Sequence, residues 1–103
     1  MIMRIWRGRT GAAKADAYQR FLKSTAYPDY GGVPGNRGWI LLRRPDSDAV
    51  EFMFVSLWDS MEALALYTSG EPERPKYYPE DKAALIELTH HVEHFDVVDL
   101  QIR

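Results

Sequence analysis

Residues 51–70, EFMFVSLWDSMEALALYTSG, constrain the fold more than any other part of the chain. The first half carries Phe52, Met53, Phe54, Val55, Leu57 and Trp58, broken only by Ser56, which is the aromatic and β-branched content of a strand. Alternate side chains of a strand point to opposite faces, so Phe52, Phe54 and Trp58 go one way and Met53, Val55 and Leu57 the other. Both faces are apolar, and both need cover. Asp59 then stands where a helix N-cap is expected, with Glu62 three positions on in a capping-box pattern, and Gly70 supplies the stop.

The flanking segments supply the covering layers. Residues 1–9 read as a first strand, with Ile2, Met3, Ile5 and Trp6 punctuated by Arg4, Arg7 and Arg9, and Thr10 is able to cap the helix after it. Over residues 12–25, Tyr18, Phe21, Leu22 and Thr25 recur at three- and four-residue spacing, predicting a helix that Pro28 ends. Residues 29–38, DYGGVPGNRG, form a loop rich in turn signals. Residues 39–44 are a second strand, 45–48 a turn and 49–58 the third strand, joined as an antiparallel hairpin. A second irregular segment, 71–79, leads to Pro79 at the first position of a short third helix, with Glu80 and Asp81 suited to its dipole. Residues 89–102, THHVEHFDVVDLQI, predict a fourth strand.

The order β-α-β-β-α-(α)-β is that of an α+β, ferredoxin-like fold: a four-stranded antiparallel sheet with its helices on one face. The uncovered face of such a sheet is polar when it meets water. Here it is not, because Ile40 and Leu42 oppose Trp39 and Leu41 on the second strand as the two sets oppose each other on the third. Burying a large apolar side chain is worth about 1.5–3 kcal/mol, so the second face is expected to meet a second copy of the chain, giving a homodimer through the sheet face.

Composition narrows the function classes. A length of 103 residues predicts one domain spanning 1–103, and 46% apolar residues suffice for a core. Thirteen basic against 15 acidic residues, with no basic stripe, argue against a nucleic-acid partner. No apolar run approaches the roughly 20 residues needed to span a bilayer, so no membrane partner is expected. The absence of cysteine excludes thiolate chemistry and fits a cytoplasmic location.

The corner LWDSMEAL, then Tyr67 and Gly70, YYPED at 77–81 and VEHFDVV at 92–98 together resemble the antibiotic biosynthesis monooxygenase-like family, of the dimeric α+β barrel superfamily. RIWRGRT at 4–10 and PGNRGW at 34–39 are similar to one of its small bacterial branches. The resemblance spans nearly the whole chain. It implies a pocket between helices and sheet, and two chemistries. Haem-degrading members use an asparagine on the first strand, a tryptophan in the second helix and a histidine soon after it. The matching places here hold Trp6 or Arg7, Tyr67, and Lys76 or Tyr77, so haem degradation is not expected. Phenol-oxidising members bind and deprotonate a phenol whose anion reacts directly with oxygen, without metal or flavin. For that chemistry the chain has Tyr67, Tyr77, Tyr78, Trp58 and Asn36 in suitable regions. The resemblance thus implies a cofactor-independent monooxygenase acting on an aromatic or electron-rich small molecule. The alternative is a non-catalytic dimer of the same fold that binds a small ligand or is structural.

Individual residues carry paired readings. On a helix, His90 and His94 would share a face and chelate a metal, but on a strand they lie about 13 Å apart at roughly 3.3 Å per residue. The strand reading leaves no metal site, and His94 becomes an acid, base or hydrogen-bond partner, or a structural residue. Tyr77 and Tyr78 either present a phenol to the pocket or pack on the sheet edge. Tyr67 has a hydroxyl that needs a partner when buried. Trp58 walls a cavity or fills the core. Arg4 and Arg7 bind an anion or pair with Glu51 or Asp96, and Arg37 in the glycine-rich loop is free to contact a ligand. Tyr67, Tyr77 and His94 are therefore the candidate catalytic residues, and Trp58, Tyr78, Asn36 and Arg37 the candidate substrate-binding ones.

Overall fold

A computed structural model describes residues 1–88 and 92–103. Strand β1 is Ile2–Gly11, helix α1 Ala15–Tyr30, β2 Asn36–Asp46, β3 Ala49–Trp58, α2 Met61–Tyr67, α3 Pro79–Ala84 and β4 Glu93–Asp96. The strands form one antiparallel sheet in the order β2-β3-β1-β4, the ferredoxin-like arrangement expected from the element order. Among the described residues no helix is long and apolar enough to cross a membrane.

The registers place Trp6 beside Phe54 and Leu41, and Arg4 beside Ser56 and His94, on the face that the helices cover. Tyr18, Leu22 and Ala26 of α1 bury against Trp6, Phe52 and Phe54 there. A smaller cluster joins Ile2, Trp58 and Leu64 of α2. Gly8 continues the covered face of β1, and a Cβ at that position would run into the Trp6 indole, so the missing side chain is what lets the ring lie down.

The opposite face carries Met3, Ile5, Ile40, Leu42, Met53, Val55, Leu57 and Phe95. Val55 and Leu57 are buried between their neighbours on the flanking strands, whereas Ile40, Leu42 and Phe95 stay 49%, 47% and 53% exposed. Ion pairs Arg7–Glu93 and Arg44–Glu51, each at 2.9 Å, border this apolar field.

Several local expectations are corrected. Helix α1 does not stop before Pro28 but carries it in the last turn and runs to Tyr30. Proline removes one helical hydrogen bond, yet the turn is held by Gly31 N–H to Tyr27 O at 2.8 Å and by the Tyr30 ring, which packs on Trp39, Phe54, Trp58 and Tyr67. Strand β2 starts at Asn36, inside the expected loop, through a bulge between Asn36 and Gly38 that places Gly38 at φ 130°. The cap of α2 is Ser60, whose Oγ accepts from Ala63 N–H at 3.1 Å. Asp59 is instead held by Arg37. Thr10 caps nothing and lies buried in β1. Arg7 pairs with Glu93, and Arg4 pairs with no carboxylate among the described residues. Strand β4 is four residues long instead of the fourteen of 89–102. Thr89, His90 and His91 lie outside the described residues, and with them the His90–His94 chelate.

Candidate functional site

Segment 71–78, with Pro72 and Pro75, is laid as a strap beside the covered face of β1, and the space between it, α1 and the sheet is a narrow cleft. Strand β1 contributes Arg4 and Trp6, α1 contributes Asp29 and Tyr30, α2 contributes Tyr67, and the strap contributes Lys76 and Tyr78. Period-two alternation in β1 puts Arg4 and Trp6 on one face, and the late helical turn past Pro28 brings Asp29 and Tyr30 over them.

Arg4 is only 4% exposed. Its Nη2 donates to the Arg74 carbonyl at 2.9 Å, and its Nε reaches the Pro72 carbonyl at 3.5 Å. Burial lowers its pKa, with a smaller opposing influence from the Tyr30 and Tyr67 hydroxyls, but a guanidinium stays charged at neutral pH. The two carboxylates that line the cleft are committed elsewhere. Asp29 accepts from the Tyr78 hydroxyl at 2.6 Å and lies 3.7 Å from Lys76 Nζ. Asp81, buried, accepts from the Tyr18 hydroxyl at 2.5 Å and from Tyr78 N–H at 2.7 Å, tying α3 to α1 and closing the end of the strap.

An Asp81→Ala variant is expected to lose about 2–4 kcal/mol in urea denaturation, since two donors lose a buried partner. Tyr18→Phe, which leaves the carboxylate one bond, should lose about 1 kcal/mol. Equal losses in the two variants would contradict this account of the joint.

The rings of Tyr30, Trp58 and Tyr67 pack together with centroids 5.0–6.0 Å apart. Burial pushes the phenols of Tyr30 and Tyr67 upward, and Arg4 pulls them down less strongly. Both are neutral hydrogen-bonding groups at neutral pH rather than ready bases. The rings leave about 50 Å³ of free space in the cleft. A water occupies about 30 Å³ in the liquid, and ligand pockets run to about 300–1,000 Å³, so an organic molecule enters only if rings or strap move.

The candidate residues from the sequence are divided by the fold. Tyr67 and Tyr78 line the cleft. Trp58 is fully buried behind it, with its Nε1 donating to Ser56 Oγ at 2.9 Å. Tyr77 packs against the main core cluster. Asn36 and Arg37 sit at the start of β2, away from the cleft: Asn36 Oδ1 accepts from Gly38 N–H at 3.0 Å, and exposed Arg37 pairs with Asp59. Among the described residues no group of three or more metal-ligating side chains converges. Asp29, Tyr30 and Asp81 are not among the sequence candidates, and Arg4 is there only as one of two arginines able to bind an anion or pair with a carboxylate; its parity with Trp6 is the available signal.

His94 lies beside Arg4 on β4, close to the Pro72 backbone, and has a buried Nε2 with no partner. Burial, and then the charge of Arg4, hold its pKa below the ordinary histidine value. The folded chain therefore takes up this proton less readily than the unfolded chain, whose histidine titrates near about 6.5. Stability is fully present above that value and falls as pH drops through it. Denaturation between about pH 7 and about pH 5 should show a steeper loss for the wild type than for His94→Gln, and equal slopes would count against it.

A wider trough of about 350 Å³ runs between α1 and β2 past Lys23, Trp39 and Phe52, but its Arg43 is already bound to Asp16 at 3.0 Å and Gln19 at 2.8 Å.

No family model and no curated protein sequence matches the chain. Solved structures do. The heme-degrading protein Rv3592 from Mycobacterium tuberculosis, heme free, superposes with a TM-score of 0.65 at 20% identity, covering 99% of this chain and 98% of that one. SnoaB, a cofactor-independent oxygenase from Streptomyces nogalater, gives 0.61 at 17% identity over 96% and 94%. A Bacillus cereus protein assigned to the antibiotic biosynthesis monooxygenases gives 0.54 at 15% identity over 99% and 96%. At such identities the likeness is one of fold, and it agrees with the resemblance carried by the corner and the C-terminal segment. The chain has the fold of the antibiotic biosynthesis monooxygenase-like proteins.

Proposed function

We propose that the protein is a cofactor-independent monooxygenase of a small phenolic or otherwise electron-rich aromatic molecule, working in the cytoplasm as a homodimer through its uncovered sheet face. The observation that carries this reading is the convergence of Arg4, Tyr30, Tyr67 and Tyr78 on one aromatic-walled cleft. In such a reaction a phenol with a free ring C–H becomes a quinone. One atom of dioxygen joins the ring and the other leaves as water, whose two hydrogens come from the substrate. Tyr67 orients the substrate oxygen, and His94 acts from behind Arg4. Tyr77, Trp58, Asn36 and Arg37 support the walls and the β2 corner.

Oxygen uptake with a panel of phenols and naphthols tests the reading. Wild type should consume oxygen, Tyr67→Phe should lower kcat/KM about tenfold through loss of one polar contact, and His94→Ala should also slow the reaction. No uptake by the wild type across the panel would sink it.

The second reading, a non-catalytic dimer that binds a small ligand or is structural, is favoured by the 50 Å³ of free space. A haem is not a fitting occupant: no histidine lines the cleft among the described residues.

A further inference from the structure

We propose that Arg4 is the receptor for the anionic oxygen of an aromatic carboxylate or phenolate, and that such a ligand opens the cleft by taking the guanidinium away from the strap carbonyls of Pro72 and Arg74. The proposal deepens the cleft reading above, since it names the class of molecule the cleft takes.

A buried cation normally comes with a carboxylate, because desolvation is otherwise uncompensated. Arg4 is 4% exposed and has none among the described residues. It is held by two backbone carbonyls, one at 2.9 Å and one at 3.5 Å, with the Tyr30 hydroxyl beside it, and a guanidinium has five N–H donors. Its planar fork matches the two oxygens of a carboxylate, or a single phenolate, better than it matches two carbonyl dipoles. Of the acids lining the cleft, Asp29 is held by Tyr78 and Lys76, and Asp81 by Tyr18 and the Tyr78 amide, while Glu73 of the strap makes no ion pair with Arg4 among the described residues. The walls beside Arg4 are Trp6, Phe54 and Tyr30, which suit an aromatic body.

The narrowness of the cleft comes from the same contacts. Arg4 joins β1 to residues 72 and 74 of the strap, and Val92 N–H, just before β4, donates to the Glu73 carbonyl at 3.0 Å. While the carbonyls hold the guanidinium, about 50 Å³ is left free. An anion that outcompetes them releases the Pro72 and Arg74 carbonyls, while Val92 still holds Glu73, and entry and opening become one exchange. Lys76 and Tyr78 keep the far end of the strap anchored on Asp29.

Calorimetric titration of the whole chain with benzoate against benzamide, and with para-nitrophenol above and below its own pKa, tests this without turnover. Wild type is expected to bind the charged member of a pair at least about tenfold more tightly. Arg4→Met should abolish the preference and Arg4→Lys should keep part of it. Amide exchange over residues 72–76 should rise on adding benzoate and not on adding benzamide. A preference in either pair supports the proposal and tells which anion is taken. Equal binding within both pairs, a folded Arg4→Met that keeps the preference, or slower exchange in the strap on adding benzoate would overturn it. If Arg4→Met does not fold, the wild-type pairs and Arg4→Lys still decide. Failed oxygen uptake with retained anion preference would remove the oxygenase reading alone, and oxygen uptake with no anion preference would remove this proposal alone.

Discussion

Trp58→Ala is expected to destabilise the protein by about 3–5 kcal/mol, a large part of the roughly 5–15 kcal/mol that holds a domain of this size together. Trp58 is fully buried where β3 ends. Its indole supports Tyr67 at 5.0 Å and Tyr30 at 6.0 Å, and it packs with Ile2 and Leu64. Removing the ring leaves a cavity that the corner cannot collapse into, because Asp59 N–H is tied to the Gly35 carbonyl at 2.8 Å and Gly35 already lies against Ala63. Trp58→Phe should lose about 1 kcal/mol from the Ser56 hydrogen bond plus a smaller packing deficit. Urea midpoints of the three proteins decide the matter. An alanine variant within about 1 kcal/mol of the wild type, the worth of that single hydrogen bond, would show that Trp58 does not hold the corner together.

The other large effect concerns the uncovered sheet face. Wild type is expected to sediment at twice 11.9 kDa at micromolar concentration, and the Ile40→Glu/Leu42→Glu double variant at the monomer mass. Both residues are about half exposed in the single chain, so the charges meet water in the monomer and leave the fold standing. In a sheet-to-sheet dimer they would sit unpaired within the apolar field formed by Met53, Val55 and Leu57. Loss of an interface centre residue is worth on the order of 2 kcal/mol, or about thirtyfold in dissociation constant. Two together place dissociation well above the working concentration. A wild type that sediments as a monomer at tens of micromolar would end the dimer reading, and a double variant that stays dimeric would move the interface to another surface.

Much of the architecture was legible in the residues, because period-two alternation and turn chemistry are local. Strand 3, its hairpin with strand 2, the two-sided character of β3 and the short Pro79 helix are found where the pattern puts them, while β2 is longer at both ends than the 39–44 expected. Two of the misread positions lie where a distant contact outweighs a local preference. The sequence rule for Pro28 is sound for an isolated helix, but the Tyr30 ring has four aromatic neighbours to gain by one more turn. At the α2 corner, Asp59 and Ser60 are both able caps, and Arg37, 22 residues away in sequence, takes the aspartate.

The cleft was less legible for the same reason. Tyr67 reads from the sequence as a hydroxyl in need of a partner and Tyr78 as a phenol for the pocket or the sheet edge, and both line the cleft. Asn36 and Arg37 drew notice as polar residues in a glycine-rich loop, and they lie at the far corner because that loop becomes the start of β2.

The alternation in residues 51–58 was enough to require cover on both sides of a sheet, since side-chain direction in a strand depends only on position along it. It could not say which side of β1 Arg4 shares, because that depends on pairing between strands far apart in the chain. Nor could it say what Arg4 meets there, because the Pro72 and Arg74 carbonyls come from 68 and 70 positions away. A guanidinium reads as a surface charge in any local window; only the packing of α1 and the strap over β1 takes it out of water and makes it a site.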